Sequence, residues 1–485
     1  MKTRITLHRF ISDKFLTQRD GVNLAHTEIN ELLASPQAGH LSIDFHDFDR
    51  LLRDSNYARK VLKDADCVLS NVGPHAHYYH LLRERFGLNF RIVRDIKTAL
   101  WSCYLLQESL CAPFLRPGDA LLATSNYSRA LTRLLFPHLQ THPIHLFEPV
   151  MSLDTFSPPS PKARATGRVI TLGHIGRLSA DKNFPQMVDL LLALNHEEPG
   201  RYRLIACGNV HSAECDPTLI TQRIYKETGR EDLFSYIPPI AHHKVLTLLK
   251  SFDYFLFFST SNLEVLGRVL VECAYAGVPV LAANHAAAPE LLDGSSLLPV
   301  SYVQERPFYS HFDCPLGLVD IGIAADRIRK RYSPTQPSMP MMNRPQTLID
   351  LLHEGGQSFA PVFDPALHTG PANFMQQLHW QNLPNYKTAL ESRKLLDELQ
   401  DWFCALNGKK SADFQMRIAQ LRSFSLFPDR TNKFAKSIAA TLGDFTNLGG
   451  MDMELCNVAS FHPRFWLSEK TRPELKEKTS TAIET

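Results

Sequence analysis

RVITLGHIGRLSADKNFPQMVDLLLALNHEEPG, residues 168–200, decides the fold of this chain. It opens on an apolar run of strand length, turns at glycine and closes on a helix. In that helix Met187, Leu190, Leu191 and Leu194 recur at i, i+3, i+4 and i+7, Pro185 sits in the first turn, and the end is expected near Asn195 and Gly200. A strand feeding a helix through a glycine turn is one βα unit, and the rhythm repeats on both sides. ADCVLS (65–70), FRIVRD (90–95), ALLATS (120–125), IHLFEP (144–149), YRLIACG (202–208) and DYFLFFS (253–259) are further runs rich in Val, Ile, Leu and Phe, separated by helix-length segments. Such runs predict parallel strands buried on both faces, so the expected fold class is α/β. SPPSPKARATG (157–167) breaks the series with Pro, Ser, Ala and Gly, which reads as an interdomain linker with one sheet on each side.

Composition narrows the function classes. Apolar residues make up 44% of 485 and charged residues 21%, which suits a large core. Lys plus Arg total 52 against 50 Asp plus Glu, a net charge of +2, so no nucleic-acid partner is expected. The nine cysteines are scattered and never spaced C-x-x-C, which indicates neither a disulfide framework nor a zinc site. MKTRITLHRFISDKF lacks the apolar run of a signal peptide, and LWSCYLLQESLCAPFL (100–115) is interrupted by Gln107 and Glu108. A cytoplasmic location is therefore expected. The basic stretch RERFGLNFRIVRDIK (83–97) raises peripheral contact with the inner membrane face as a second expectation, against the simpler reading of strand and helix-end charges.

Two segments carry chemistry. In GHIGRLSADKNF (173–184), Gly173 and Gly176 are expected to let the backbone turn tightly, while Arg177 and Lys182 bring two cations to a strand's carboxyl end, where open α/β sheets bind ligands. Cations beside glycine amides suit a diphosphate; the competing reading is a solvated surface pair. In NLEVLGRVLVECAYAGVPVLAANHAAAPELL (262–292), a helix beginning near Gly267 offers free N–H groups and its positive dipole end to the same anion. Glu264 precedes that helix and Glu272 lies inside it. Carboxylates accept hydrogen bonds from vicinal hydroxyls, which suits a sugar on one side and a ribose on the other. The alternative for Glu272 is a local ion pair with Arg268.

These segments resemble the donor-binding half of retaining GT-B glycosyltransferases of the family 4 type, whose E-x7-E motif matches Glu264 to Glu272. Around the motif, LIACGN (204–209) resembles the family's next strand and glycine turn. FSYIPPIAHHKVLTLLKSFDYFLFFST (234–260) resembles its base-side loop, helix and strand, LDTFSPP (153–159) its interdomain hinge, and FSLFPDRTNKFAKSIAATL (424–442) its closing helix. One departure stands inside the motif: the family's usual E-G-F-G reads Glu264, Val265, Leu266, Gly267 here.

The resemblance implies two Rossmann-like domains facing a cleft and a hexosyltransferase acting on a nucleoside-diphosphate sugar. The donor site it implies comprises Gly176, Arg177, Lys182, Glu264, Gly267, Arg268 and Glu272. Arg177 and Lys182 would neutralise the leaving diphosphate, Glu272 would hold the ribose and Glu264 the donor sugar. Asp95 and His77, with His75 beside it, are the candidates nearest the anomeric centre; capping and ordinary loop roles compete for them. No cofactor and no metal are expected, since Asp47 or Asp49 of HDFDRLL reads as a helix cap, and Asp64 and Asp66 precede a strand at its entering end. The acceptor is a glycan, a lipid-linked group or a protein. A GT-B sugar phosphorylase, a nucleotide-sugar hydrolase and a catalytically silent nucleotide-sugar-binding subunit, to which Val265 points, are the alternatives.

The organisation expected is an N-terminal acceptor-side domain over 1–156, the linker, and a nucleotide-sugar domain over 168–300. An irregular insertion in the C-terminal domain follows over 301–386, then C-terminal domain helices over 387–423, a crossover helix back to the N-terminal domain over 424–445 and a polar tail over 446–485.

Overall fold

The structure, a computed structural model, describes residues 2–8, 21–71, 76–97, 108, 111, 115–135, 142–147, 168–261, 264–302, 317–332 and 345–354. The first unit runs β1 (Thr3–His8), α1 (Gly21–Ala34), β2 (Leu41–His46), α2 (Phe48–Arg53), α3 (Ser55–Leu62), β3 (Cys67–Ser70), α4 (His77–Phe86), β4 (Arg91–Ile96), β5 (Ala120–Ala123), α5 (Asn126–Leu135) and β6 (Ile144–Leu146). Its six strands are all parallel, in the order β2-β1-β3-β4-β5-β6. β3, β5 and most of β4 are buried, as strands covered on both faces should be.

The second unit runs β7 (Ile170–Ile175), α6 (Phe184–Glu197), β8 (Tyr202–Cys207), α7 (Pro217–Thr228), β9 (Phe234–Ile237), α8 (His242–Leu249), β10 (Tyr254–Phe257), α9 (Arg268–Ala276), β11 (Val280–Ala283), α10 (Ala288–Leu291) and β12 (Leu297–Leu298). Its strands are parallel in the order β12-β11-β10-β7-β8-β9, the doubly wound Rossmann order with its reversal between β7 and β10. All seven strand runs quoted from the sequence are strands. Met187, Leu190, Leu191 and Leu194 of α6 are buried in the core with Leu172, Leu204 and Leu256 from the sheet. Gly173 departs from the expected turn role: it lies within β7, and a Cβ there would come within 2.0 Å of the Phe252 ring. Of Asp47 and Asp49 it is Asp47 that caps α2, accepting from Arg50 N at 3.1 Å, and Asp66 accepts from Arg4 N at the entering end of the sheet.

The largest correction concerns residues 301–386. β13 (Val300–Tyr302) and β14 (Gly317–Val319) form an antiparallel pair, and α11 (Ile321–Arg329) and α12 (Pro345–Glu354) follow. Ala324, Ala325 and Ile328 of α11 belong to the second unit's core. Leu348, Ile349, Leu351 and Leu352 of α12 belong to the first unit's core, with Ile5, Leu7, Leu69 and Val93. Arg91 donates to Leu352 O at 2.7 Å, and His353 Nδ1 meets Thr3 Oγ1 at 2.8 Å. Over its described parts the segment is therefore no irregular insertion: it completes both cores, and the chain has returned to the first unit by residue 345. The expected crossover helix at 424–445, the helices at 387–423 and the tail lie outside the described residues, as does the linker.

The basic stretch 83–97 is largely turned inward. Arg83 forms a bidentate pair with Asp119 at 2.8 Å, Arg94 pairs with Glu108 at 2.6 Å, Lys97 pairs with Asp95, and Arg91 holds the end of α12. Arg83, Arg91, Arg94 and Lys97 are thus all engaged within the fold. Among the described residues no helix is long and apolar enough to cross a membrane.

Leu348→Ala, which removes a fully buried side chain from the sheet-facing side of α12, should destabilise the first unit by about 2–5 kcal/mol. Denaturant unfolding measures it; a change well under 1 kcal/mol would show that α12 is dispensable to that core.

Candidate active site

Reversal of strand order leaves a crevice at the carboxyl ends of β7 and β10, because the helices leaving those strands go to opposite faces of the sheet. Gly176, Arg177, Lys182 and Glu264 fall there. After β7 the chain passes Gly176, whose N–H donates to Cys207 O at 2.9 Å, and a Cβ on Gly208 would lie 1.8 Å from Gly176 O. The turns after β7 and β8 thus touch backbone to backbone, which only glycine at 208 permits. Arg177, Asp181 and Lys182 follow. After β10 come Ser259, Glu264 and Gly267, the residue from which α9 starts with φ of +78°. A Cβ on Gly267 would also press on Phe257 and Leu270. Leu270 N donates to Gly267 O at 2.8 Å, and the N–H groups of Arg268 and Val269, at the very start of α9, precede any acceptor within the helix.

Each cation at this crevice holds a carboxylate. Lys182 Nζ pairs with Glu264 Oε2, which also accepts from Ser259 Oγ at 2.9 Å. Arg177 Nη2 donates to Asp181 Oδ2 at 3.0 Å, and Ser179 Oγ donates to the other oxygen of Asp181. Burial pushes the Glu264 carboxyl up, yet the charge and hydrogen bond of Lys182, with Ser259 and Arg177, outweigh it and hold Glu264 below its ordinary value. Asp181 is held low in the same way, burial being overcome chiefly by Lys182 and Arg177. Both carboxylates are therefore ionised acceptors at neutral pH. His174, buried beneath the turn, is pushed down to about 4 by burial and stays neutral; its ring lies 3.3 Å from Leu256 O and 3.4 Å from Arg177 O.

Glu272 sits one turn into α9 and is 5% exposed. Its Oε1 accepts from Arg268 Nε at 3.1 Å and from His242 Nε2 at 2.9 Å. The local ion pair weighed against a ligand role is present. The terminal nitrogens of Arg268, however, reach the first unit, donating to Glu28 on α1 at 2.6 Å each.

Residues 160–294 match the family model described as Glycosyl transferases group 1. The second unit is a glycosyltransferase domain. Two Rossmann-like units turning their carboxyl edges toward each other make the GT-B arrangement expected from the motifs, and the chain is a glycosyltransferase. A comparison with curated proteins found no match. Among solved structures, Anabaena Alr3699/HepE in complex with UDP is 15% identical, with 78% of this chain and 98% of that chain covered at a TM-score of 0.49. The lipopolysaccharide outer core galactosyltransferase WaaB is 13% identical, with 78% and 99% covered at 0.47. A glycosyltransferase from Rickettsia africae is 12% identical, with 80% and 99% covered at 0.44.

The glycosyltransferase domain meets the first unit through three described contacts. Besides Arg268 to Glu28, Ser125 Oγ donates to Val265 O at 2.7 Å. The Glu290 carboxylate of α10 accepts from Asn126 N at 2.8 Å and Tyr127 N at 2.6 Å, capping α5 from the opposite unit. Val265, the departure from the family's glycine, is thus a backbone contact point between units.

On the first unit, Asp95 is buried near the end of β4, its Oδ2 on Lys97 and its Oδ1 without a partner. Asn71, just past β3, has both side-chain amide atoms unpartnered. No described contact joins Asp95 to segment 264–272. His77 begins α4, its side chain lying outside the described residues, and His75 lies outside them altogether. Asp181 and His242 stood unassigned within the quoted motifs, where an acid between two site cations was the available signal. Glu28 and Glu290 had none, because their partners lie in the other unit.

Glu290 gives the interface a pH dependence. Burial raises its pKa from 4.5 to about 7, against the pull of the Asn126 and Tyr127 N–H groups and Arg129. The folded state holds this proton more tightly than the unfolded chain. The resulting stabilisation is complete below 4.5 and is lost as pH rises through about 7, a span on the order of 3 kcal/mol. Glu290→Gln should remove that component when unfolding is followed from pH 4 to 8. A wild-type to variant difference that stays constant with pH would contradict the assignment.

Proposed function

We propose that the chain is a retaining glycosyltransferase of the E-x7-E, family 4 type, moving a hexosyl group from a nucleoside-diphosphate sugar to a hydroxyl-bearing glycan, lipid-linked or protein acceptor. The observation that carries the reading is the convergence of Gly176, Arg177, Lys182, Glu264 and the start of α9 on the switch point of a sheet inside the glycosyltransferase group 1 segment. The diphosphate takes the Gly176 turn, the first amides of α9 from Gly267, and the two cations. Lys182 already has Glu264 within reach, so one ammonium can touch a phosphate oxygen and the carboxylate that faces the donor sugar. Negative charge growing on the leaving phosphate oxygen is then met by groups already in place. Glu272 takes the ribose hydroxyls, with Arg268 and His242 fixing its position. The first unit presents the acceptor, with Asp95 or His77 nearest the anomeric centre. We place the activity in the cytoplasm.

Titration calorimetry with UDP, GDP and ADP tests this reading. Lys182→Ala or Glu272→Ala removes a charge-assisted hydrogen bond of about 1.5–3 kcal/mol, so affinity for the nucleotide that binds should fall about 10- to 150-fold. Unchanged affinity in both folded variants would remove the donor site from this crevice.

The same reading makes a divalent metal unnecessary, since Arg177, Lys182 and the helix start carry the charge stabilisation. Turnover of a donor should survive excess EDTA; complete loss, with recovery on adding magnesium or manganese, would contradict it.

A further inference from the structure

Arg268 divides its hydrogen bonds between the two units. Nη1 and Nη2 donate to the two carboxylate oxygens of Glu28, each at 2.6 Å, while only Nε, at 3.1 Å, reaches Glu272. All three side chains are nearly buried, at 11%, 4% and 6% exposed. Both bonds to Glu272 land on Oε1, so its other oxygen carries none. Guanidinium–carboxylate pairs are frequently bidentate where two nitrogens can reach both oxygens. Were Glu28 absent, the freed nitrogens of Arg268 would have Glu272 as the adjacent carboxylate, and the fork would consume Oε2.

We propose that Glu28 is a positioning residue for donor binding: by holding the terminal nitrogens of Arg268, it keeps the second oxygen of Glu272 available to the vicinal hydroxyls of the nucleotide ribose. This rests on the donor-site reading above and extends it across the interface. Glu28 belongs to α1 of the first unit, so the restraint exists only while the units are together. Apposition of the units and nucleotide affinity are therefore linked, and by reciprocity a bound nucleotide favours the apposed state. Ser125 to Val265 and Glu290 to the start of α5 bring the same two edges together, but neither touches the ribose carboxylate.

The test is a double-mutant cycle on the full chain, read by calorimetry with UDP, GDP and ADP. Glu28→Gln replaces one acceptor oxygen by a donor and removes the charge, so it cannot reproduce the two-oxygen fork and should weaken the nucleotide that binds about tenfold. Glu28→Asp, which keeps the charge on a shorter stem, should lose less and serves should the amide variant fail to fold. In a Glu272→Gln background, where the ribose acceptor is already impaired, changing Glu28 to Gln or Asp should have little further effect. Wild-type affinity in Glu28→Gln, or losses that simply add to those of Glu272→Gln, would overturn the positioning role while leaving the donor site standing. If Glu272→Gln alone binds like wild type, or no nucleotide binds the unaltered chain, the donor reading itself falls and the positioning role falls with it.

Discussion

Taking a guanidinium out of water is unfavourable unless carboxylates meet it, and Arg268 is met by two from different directions. That requirement ties Glu28 of one Rossmann unit to Glu272 of the other and so brings the two carboxyl edges together. The same rule governs the neighbouring crevice, where Lys182 and Arg177 would repel each other but for Glu264 and Asp181. Burial pushes both acids toward protonation and the paired cations pull them back, so the crevice stays charged but nearly neutral in sum. The two cations are thus fixed in place rather than spread over a diffuse positive surface.

Strand order puts this constellation where it is. With β7 at the point where the sheet reverses, its following turn and the turn after β10 diverge, and the gap opens beside Gly176 and Glu264. The contact between Gly208 and Gly176 O then sets how closely the turns approach, which is a packing restriction as much as a conformational one. α11 closes the second core and α12 then closes the first, so the first unit is not complete in sequence until the second has been made. This favours a single cooperative body over two independent lobes.

How much of this was legible depended on range. The buried strands of the second unit and the helix 184–197 announced themselves through local period and glycine punctuation, signals that need no partner. The placement of Arg177, Lys182 and Glu264 beside the carboxyl ends of β7 and β10, and of Glu272 one turn into α9, was legible because strands, glycine turns and helix starts leave local signals. β1, the strand Thr3–His8, lacks the apolar run of the other strands because only Ile5 and Leu7 of TRITLH are apolar, although it pairs with neighbours on both sides, second from the edge of its sheet. Leu348, Ile349, Leu351 and Leu352 of α12 were hidden by the prolines before them, and their burial depends on a sheet more than two hundred residues away. Glu28 and Glu290 were invisible for the same reason: a lone carboxylate on a helix acquires meaning only when the opposite unit supplies a guanidinium or a helix end.

The most direct measurement is a crystal structure of the full chain with a nucleoside diphosphate bound. The account predicts the diphosphate against the Gly176 turn, Arg177, Lys182 and the first amides of α9, with the ribose on Glu272 and Arg268 still forked onto Glu28. A nucleotide seated anywhere else, such as along the β3 and β4 ends beside Asn71 and Asp95, would contradict it.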